Sequence, residues 1–184
     1  MITLKQIRDN KNQKPCEDSW TKLLKSYGKT KADDTVVTCE YLLETLDIDD
    51  TLWVISNCIH GKKVKKRHMV ADIVERVLHI WENWAKDNAP DHLNSPRKAV
   101  DAIRRGKVDD EILGDAEYAW DAAWDAGAAH AAYAAYAAEA AYTGASHYGT
   151  ADAASAADAV GDSDAGYDAE RVEQKKIILT YFGE

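Results

Sequence analysis

From Val108 to Glu170 the chain has neither a lysine nor an arginine in 63 residues. Phosphate recognition draws on those two side chains, so direct nucleic-acid binding by this stretch is disfavoured. Cysteine is scarce too: Cys16, Cys39 and Cys58 are odd in number and far apart. That argues against a disulfide framework and for a reducing compartment. The opening residues, Met1 to Lys14, lack the apolar segment of a signal peptide. No uninterrupted apolar run approaches membrane-spanning length. The expectation is a cytoplasmic protein without membrane contact.

What fills the gap is acid and alanine. Residues 108–170 carry fourteen acidic side chains, and twenty-four alanines fall between Asp115 and Ala169. Residues 1–107 have a balance of +4 and residues 108–184 one of −13, within a net charge of −9. The chain is therefore read as a mixed-charge part, 1–107, with a conventional hydrophobic core, and an acidic alanine-rich part, 108–184. The two are expected to pack as one unit.

Helical punctuation recurs along both parts. Thr3 and Gln6 have the spacing of a capping box. Glu17 to Tyr27 reads as a helix stopped by Gly28. Asp34 or Thr35 is placed to cap a helix carrying Val36, Val37, Cys39, Leu42, Leu43 and Leu46. Asp50 or Thr51 is placed to cap the next, ended by Gly61. Val70, Ile73, Val74, Val77, Leu78, Trp81 and Trp84 repeat at three- and four-residue spacing, which predicts one amphipathic helix from about Lys63 to Asn88. Its first turns hold Lys62, Lys63, Lys65, Lys66 and Arg67, the wrong sign for a helix N-terminus. That cluster must be solvated or matched to acidic groups elsewhere. Ser95-Pro96 suits the start of a helix ending at Gly106.

Asp109 reads as the cap of the alanine tract. Trp120 and Trp124 sit one turn apart, and a shared core face is expected for them. From Gly127, large residues come at every third position (His130, Tyr133, Tyr136, Glu139, Tyr142), with alanine pairs between. A step of three retreats by about 60° per repeat, so these residues wind around the helix. Alanine then lies on several faces and lets neighbouring backbones approach closely, which implies a central or sandwiched helix. Gly144 to Gly149 reads as the break of the rod, Thr150 as the cap of a further helix, and Gly161 to Gly166 as another break. The last helix is expected over Asp168 to Phe182. No convincing alternating strand appears. The fold class is all-α: a multi-helix bundle whose long alanine-rich helices pack against a short-helix N-terminal part.

The chemistry-bearing motifs mostly dissolve on inspection. Asp47-Ile48-Asp49-Asp50-Thr51-Leu52 spells the nucleophile motif of haloacid-dehalogenase phosphatases, but helix, not strand, precedes it. Asp caps at a helix–turn–helix connection explain it better. Gly28-Lys29-Thr30 lacks the earlier glycine of a phosphate loop. Cys58, His60 and His68 have no zinc spacing, and the cysteines lack an obvious base. No catalytic residue, metal or cofactor is expected.

The acidic tract remains. Asp121 and Asp125, one turn apart, repel each other by a few tenths of a kcal/mol, where Glu–Lys pairs would stabilise. Asp152, Ser155, Asp158 and Asp162 line one side of the expected later helix. Asp121, Asp125, Tyr133, Tyr136, Asp152, Asp158 and Asp162 are the candidate partner-binding residues, facing a protein with a basic surface.

The chain resembles alanine-rich proteins of tailed phages and prophages, in a group that includes sequences labelled immunity proteins. The resemblance rests on Ile48-Asp49-Asp50-Thr51-Leu52-Trp53, on the helix–Gly–acidic–helix passage Ala99 to Leu113, on Asp121-Ala122-Ala123-Trp124-Asp125-Ala126, and on Glu170-Arg171-Val172-Glu173-Gln174. Relatives often mix Asp with Arg in the tract, and here the arginines are missing. The resemblance implies binding with no assigned chemistry; with the acidic tract as the surface, the expectation is a phage-associated, non-enzymatic protein in a bacterial host cell that interferes with a host or defence protein, nucleic-acid mimicry being one version. The alternatives are an immunity-type or scaffold protein that forms homo-oligomers through alanine-rich helices, and a phosphatase using Asp47 and Asp49. It supplies no catalytic residues.

Overall fold

The capping box at the start of the chain closes reciprocally: Gln6 N–H donates to Thr3 Oγ1 at 3.2 Å, and Thr3 N–H to Gln6 Oε1 at 2.9 Å. This computed structural model describes residues 2–11, 14–107, 109–144, 152–160 and 164–183. In chain order its elements are β1 (Ile2–Thr3), α1 (Leu4–Arg8), α2 (Glu17–Ser26), β2 (Val36–Val37), α3 (Cys39–Thr45) and α4 (Ile48–Cys58). Then come α5 (Lys63–Glu75), α6 (Leu78–Asn88), a 3-10 turn (Pro90–His92), α7 (Ser95–Arg105), α8 (Asp110–Asp125), α9 (Ala129–Gly144), a 3-10 segment (Asp152–Val160) and α10 (Asp164–Phe182). The protein is all-α, with one two-residue antiparallel pairing among the described residues, Ile2 with Val37 and Thr3 with Val36.

That pairing corrects the reading of Val36 and Val37 as helical. Two β-branched residues find a partner strand at the chain's start, and Thr38 caps α3 instead, accepting from Tyr41 N–H at 3.2 Å. Asp47 likewise replaces Asp50 or Thr51 as the cap of α4, accepting from Asp50 N–H at 2.8 Å. At α7 the helix already includes Ser95, so Pro96 is its second residue and Asn94 the flanking one. These local shifts leave the periodic faces intact.

The helix expected over Lys63 to Asn88 is two helices. Neither proline nor glycine marks the bend; the backbone tightens there, with Val77 N–H donating to Val74 C=O and Ile80 N–H to Val77 C=O at three-residue spacing. The apolar pattern survives because Met69, Val70, Ile73, Val74, Val77, Leu78 and Trp81 are all buried. Trp81 Nε1–H is satisfied by the Leu93 carbonyl at 3.0 Å. At the bend, Arg76 reaches Glu170 on α10 through two parallel hydrogen bonds, Nε to Oε1 at 2.9 Å and Nη2 to Oε2 at 3.0 Å. Glu170 is 5% exposed, so this pair fixes α10 against the bend. Gly166, expected in a break, lies within α10; the inward stripe of that helix is Glu170, Gln174 and Ile178, while Val172 faces solvent.

The alanine tract turns back at Gly127, earlier than the expected break. Gly127 adopts φ +71°, which a side chain would strain. Its N–H donates to Trp124 C=O and Ala128 N–H to Ala123 C=O, both at 2.9 Å, completing a Schellman stop. α8 and α9 thus form an antiparallel hairpin. Ala131, Ala132, Ala134, Ala135, Ala137, Ala138 and Ala140 of α9 are all buried, on more than one face. α5, α6, α7, α8 and the 3-10 segment pack around them, so α9 is a central helix. The segment expected as a helix capped by Thr150 is 3-10 over Asp152–Val160; Thr150 itself lies outside the described residues. Ala156, Ala157 and Ala159 are buried there, and the tighter coil gives a slimmer rod against α9.

Two apolar clusters result. The smaller joins Ile2, Leu4, Ile7, Trp20, Leu23 and Val37 with Leu42, Leu46, Val54 and Cys58. The larger runs from Cys39 through α5, α6 and α7 to the alanines of α8 and α9 and to Ile178.

Filling the alanine seam should therefore destabilise the fold. Ala135→Leu is expected to lower unfolding free energy by about 2 kcal/mol, the usual penalty of overpacking. Ala129→Leu, at the exposed start of α9, should change it by less than about 0.5 kcal/mol. Urea denaturation of the two variants measures the contrast.

Candidate protein-binding surface

The alanine seam decides where the large residues of the tract go. On α8 the buried stripe is Ala116, Ala119 and Ala123. Backbones this close leave no volume for an indole between them. Trp120 is half-buried at the seam's edge, and Trp124 is 54% exposed, which corrects the shared core face expected for the two. Each tryptophan meets a tyrosine of α9 across the hairpin. Trp120 lies 5.6 Å from Tyr136, and Trp124 lies edge-on to Tyr133 at 6.3 Å and 85°. Tyr133 and Tyr136 are half-buried and present part of their rings.

The outward face of α8 carries Asp110, Gly114, Glu117, Tyr118, Asp121, Trp124 and Asp125, all exposed and all at three- or four-residue spacing. Tyr118 is 57% exposed and stacks on His92 with centroids 4.3 Å apart. Two large aromatics and a row of carboxylates therefore share one rigid face. Asp109 caps the helix, accepting from Glu111 N–H at 3.0 Å. Acid suits that N-terminal end, but Asp121 and Asp125 stand near the C-terminal end, where the helix dipole disfavours them. Lys98 approaches Asp115 at 3.7 Å. Among the described residues, Glu117, Asp121 and Asp125 have no ion-pair partner.

Within the basic cluster Lys62 to Arg67, Lys65, Lys66 and Arg67 lie against helix C-termini, and Lys62 and Lys63 are exposed. Lys66 Nζ donates to Ser56 C=O at 2.7 Å near the end of α4, and Lys65 Nζ to Tyr181 C=O at 3.3 Å near the end of α10. Arg67 lies against Gly106, the left-handed stop of α7, so closely that a Cβ there would sit 2.5 Å from the guanidinium. Three helix C-termini, each carrying partial negative charge, thus surround cations that are unfavourable at the start of α5. Burial pulls the Lys66 ammonium below its usual range. The aspartates of α8 are not needed for that compensation.

The remaining predicted residues are placed differently. Asp158 is exposed on the 3-10 segment. Partial burial raises its carboxyl pKa, Asp49 adds to the rise, and Arg171 opposes it. It therefore belongs with Asp49 and Arg171 (Nη2 to Oδ2, 3.0 Å), not with the α8 carboxylates. Asp162 and the side chain of Asp152 lie outside the described residues, as do Tyr148 and the side chain of Tyr142. Asp47 is a helix cap, and α3 precedes it in place of a strand. Asp50 accepts from Ser19 Oγ, and burial pushes its carboxyl up. Among the described residues, no group of three or more His, Cys, Asp or Glu could hold a metal, and no helix is long and apolar enough to cross a membrane. Cys39 is buried, and desolvation pushes its thiol up to about 12, unsuited to a nucleophile at neutral pH.

Sequence reasoning missed Glu117 and misplaced Trp124. The signal was present: Ala116, Ala119 and Ala123 mark one face of α8, so Glu117, Asp121, Trp124 and Asp125 must turn away. It also missed the charge network beneath α7. Arg104 Nη2 donates to Asp72 Oδ1 at 2.8 Å and to Glu75, while Arg97 bonds Glu82 (2.6 Å) and Glu75 (3.1 Å). Tyr181 O–H donates to Asp72 Oδ2 at 2.6 Å, and burial with that bond pushes its pKa up to about 12. Comparison of the chain with protein-family models, curated proteins and solved structures finds no match.

The network predicts an acid response. The hydrogen bond from Arg104 holds the Glu75 carboxyl below its ordinary 4.5. Its stabilisation is full above that ordinary value and is lost as pH falls through the lowered native one. Glu75→Gln should lower stability at pH 7 by no more than about 1 kcal/mol, because solvent screens a pair this exposed. The gap to the parent should close in acid. Denaturant titrations from pH 7 to about pH 2.5 check the sign.

Proposed function

We propose that this chain is a non-enzymatic binding protein whose α8 face docks onto a basic, partly apolar surface of a protein partner. The observation that carries the reading is the pair of exposed aromatics, Tyr118 and Trp124, set among carboxylates without ion-pair partners on a helix held rigid by the alanine seam. Aromatic anchors dominate binding energy, and a one-sign field speeds and orients encounter. Asp121 and Asp125 oppose the helix dipole and each other, so a role in binding accounts for what stability would have removed.

The resemblance to alanine-rich phage and prophage proteins supplies the setting: a bacterial host cell, and a host or defence protein as the target. Nucleic-acid mimicry is the specific version in which these carboxylates stand in for phosphates. It is favoured by one observation, that Lys65, Lys66 and Arg67 are turned to helix carbonyls and a helix stop, and leave Glu117, Asp121 and Asp125 without an ion-pair partner among the described residues. Self-association through alanine packing has less support, because the α9 alanines are already covered by the chain's own helices.

The test is affinity capture from bacterial lysate with the parent, Trp124→Ala, and Asp121→Asn/Asp125→Asn. A specific partner should be retained by the parent at low salt and released at high salt, and lost with either variant. The double variant should at the same time be more stable than the parent by about 0.5 kcal/mol. A partner captured equally by all three proteins would sink the α8 assignment.

A further inference from the structure

A cavity of about 140 Å³ opens where the two apolar clusters meet. Its walls come from five elements: Ile2 of β1, Val37 of β2, Cys39 and Leu42 of α3, Ile55 of α4, and the Phe182 end of α10. All but Phe182 among these are buried in the fold and form an apolar floor, while Thr38 and Tyr181 add polar groups to the lining. At its mouth stand Lys62 and Lys65, both exposed. Lys65 Nζ donates to Tyr181 C=O at 3.3 Å, which tethers it at the rim. Lys62 flanks the start of α5, a thirteen-residue helix whose first turn has no side-chain cap. The rim therefore combines two ammonium groups with the positive end of a helix. An acidic side chain, Glu40, lies at the same end of the molecule near Gly183.

We propose that this cavity binds a small organic anion with an apolar body, its carboxylate at Lys62 and Lys65 and its ring or branched chain against Ile2, Leu42 and Ile55. The size sets the class. An apolar cavity of about 150 Å³ accepts a benzene ring, so a body of roughly six to eight carbon atoms fits. The charge sets the polarity: a cationic isostere meets two lysines, and a neutral one forfeits both. Cys39 contributes as an apolar wall, with its thiol protonated by burial. This site is separate from the α8 face and does not depend on the binding role proposed for it.

Benzoate, benzyl alcohol and benzylammonium at constant ionic strength are the probes, read by methyl NMR of the isoleucine, leucine and valine residues. Benzoate is expected to bind saturably at millimolar concentration or below, shifting Ile2, Val37, Leu42 and Ile55. Benzyl alcohol should bind more weakly and benzylammonium not at all. Lys62→Gln/Lys65→Gln, at exposed positions, should keep the parent's melting temperature and weaken benzoate by about fivefold. Asp121→Asn/Asp125→Asn should bind benzoate as the parent does. The proposal is overturned if benzoate fails to saturate, if it binds no tighter than benzyl alcohol, or if the lysine variant binds it unchanged.

Discussion

Close approach of alanine-faced helices is the constraint from which the rest of this structure follows. Helix axes ordinarily sit about 8–10 Å apart, the distance being set by the side chains between them. With Ala116, Ala119 and Ala123 on α8 facing the alanine faces of α9, the side chains at this contact are as small as any β-carbon allows. Alanine brings no side-chain entropy to lose, so a long helix forms readily in such sequence. It also brings little apolar area per residue, so burial must extend over many positions to be stabilising. That is why α9 is surrounded and not merely packed on one side.

The tryptophans of α8 are displaced to the edges of that seam. Trp120 pairs with Tyr136 and Trp124 with Tyr133, flanking the hairpin. Tyr118 and Trp124 reach solvent as a consequence of packing geometry, and the same geometry turns Asp121 and Asp125 outward. The face proposed for binding is thus the reverse side of the structural solution. Its acidity is a separate matter, since alanine packing would tolerate lysine there equally well. Charge elsewhere is handled by pairing: Arg76 with Glu170, Arg104 with Asp72 and Glu75, and Lys65 and Lys66 with carbonyls near the ends of α10 and α4. Among the described residues, Glu117, Asp121 and Asp125 stand outside that system.

Much of the fold was legible in the residues because its signals are local. The Thr3–Gln6 box, the Gly28 and Gly106 stops, the Asp109 cap and the step of three around α9 each depend on a few neighbouring residues. The errors arise where distant residues decide. The bend at Arg76–Val77 has no glycine or proline to announce it, and its arginine meets a glutamate 94 positions away. Val36–Val37 pairs with the chain's start, which periodicity along one segment does not reveal. Trp124 was misjudged because aromatic character suggests burial, whereas the volume available beside it was set by alanines. Of the candidate residues, Tyr136 and Tyr133 meet Trp120 and Trp124 of α8, Asp121 and Asp125 are exposed on that same helix, and Asp158, grouped with them by spacing, stands instead beside Arg171.

Native-state hydrogen exchange is the most direct measurement of the central claim, that α9 is the most enclosed element of the molecule. The account predicts that amides from Ala131 to Ala140 exchange only through global unfolding, with protection matching the full denaturation free energy. Exchange of those amides through local opening, faster than that of Ile73 or Val74 in α5, would contradict it.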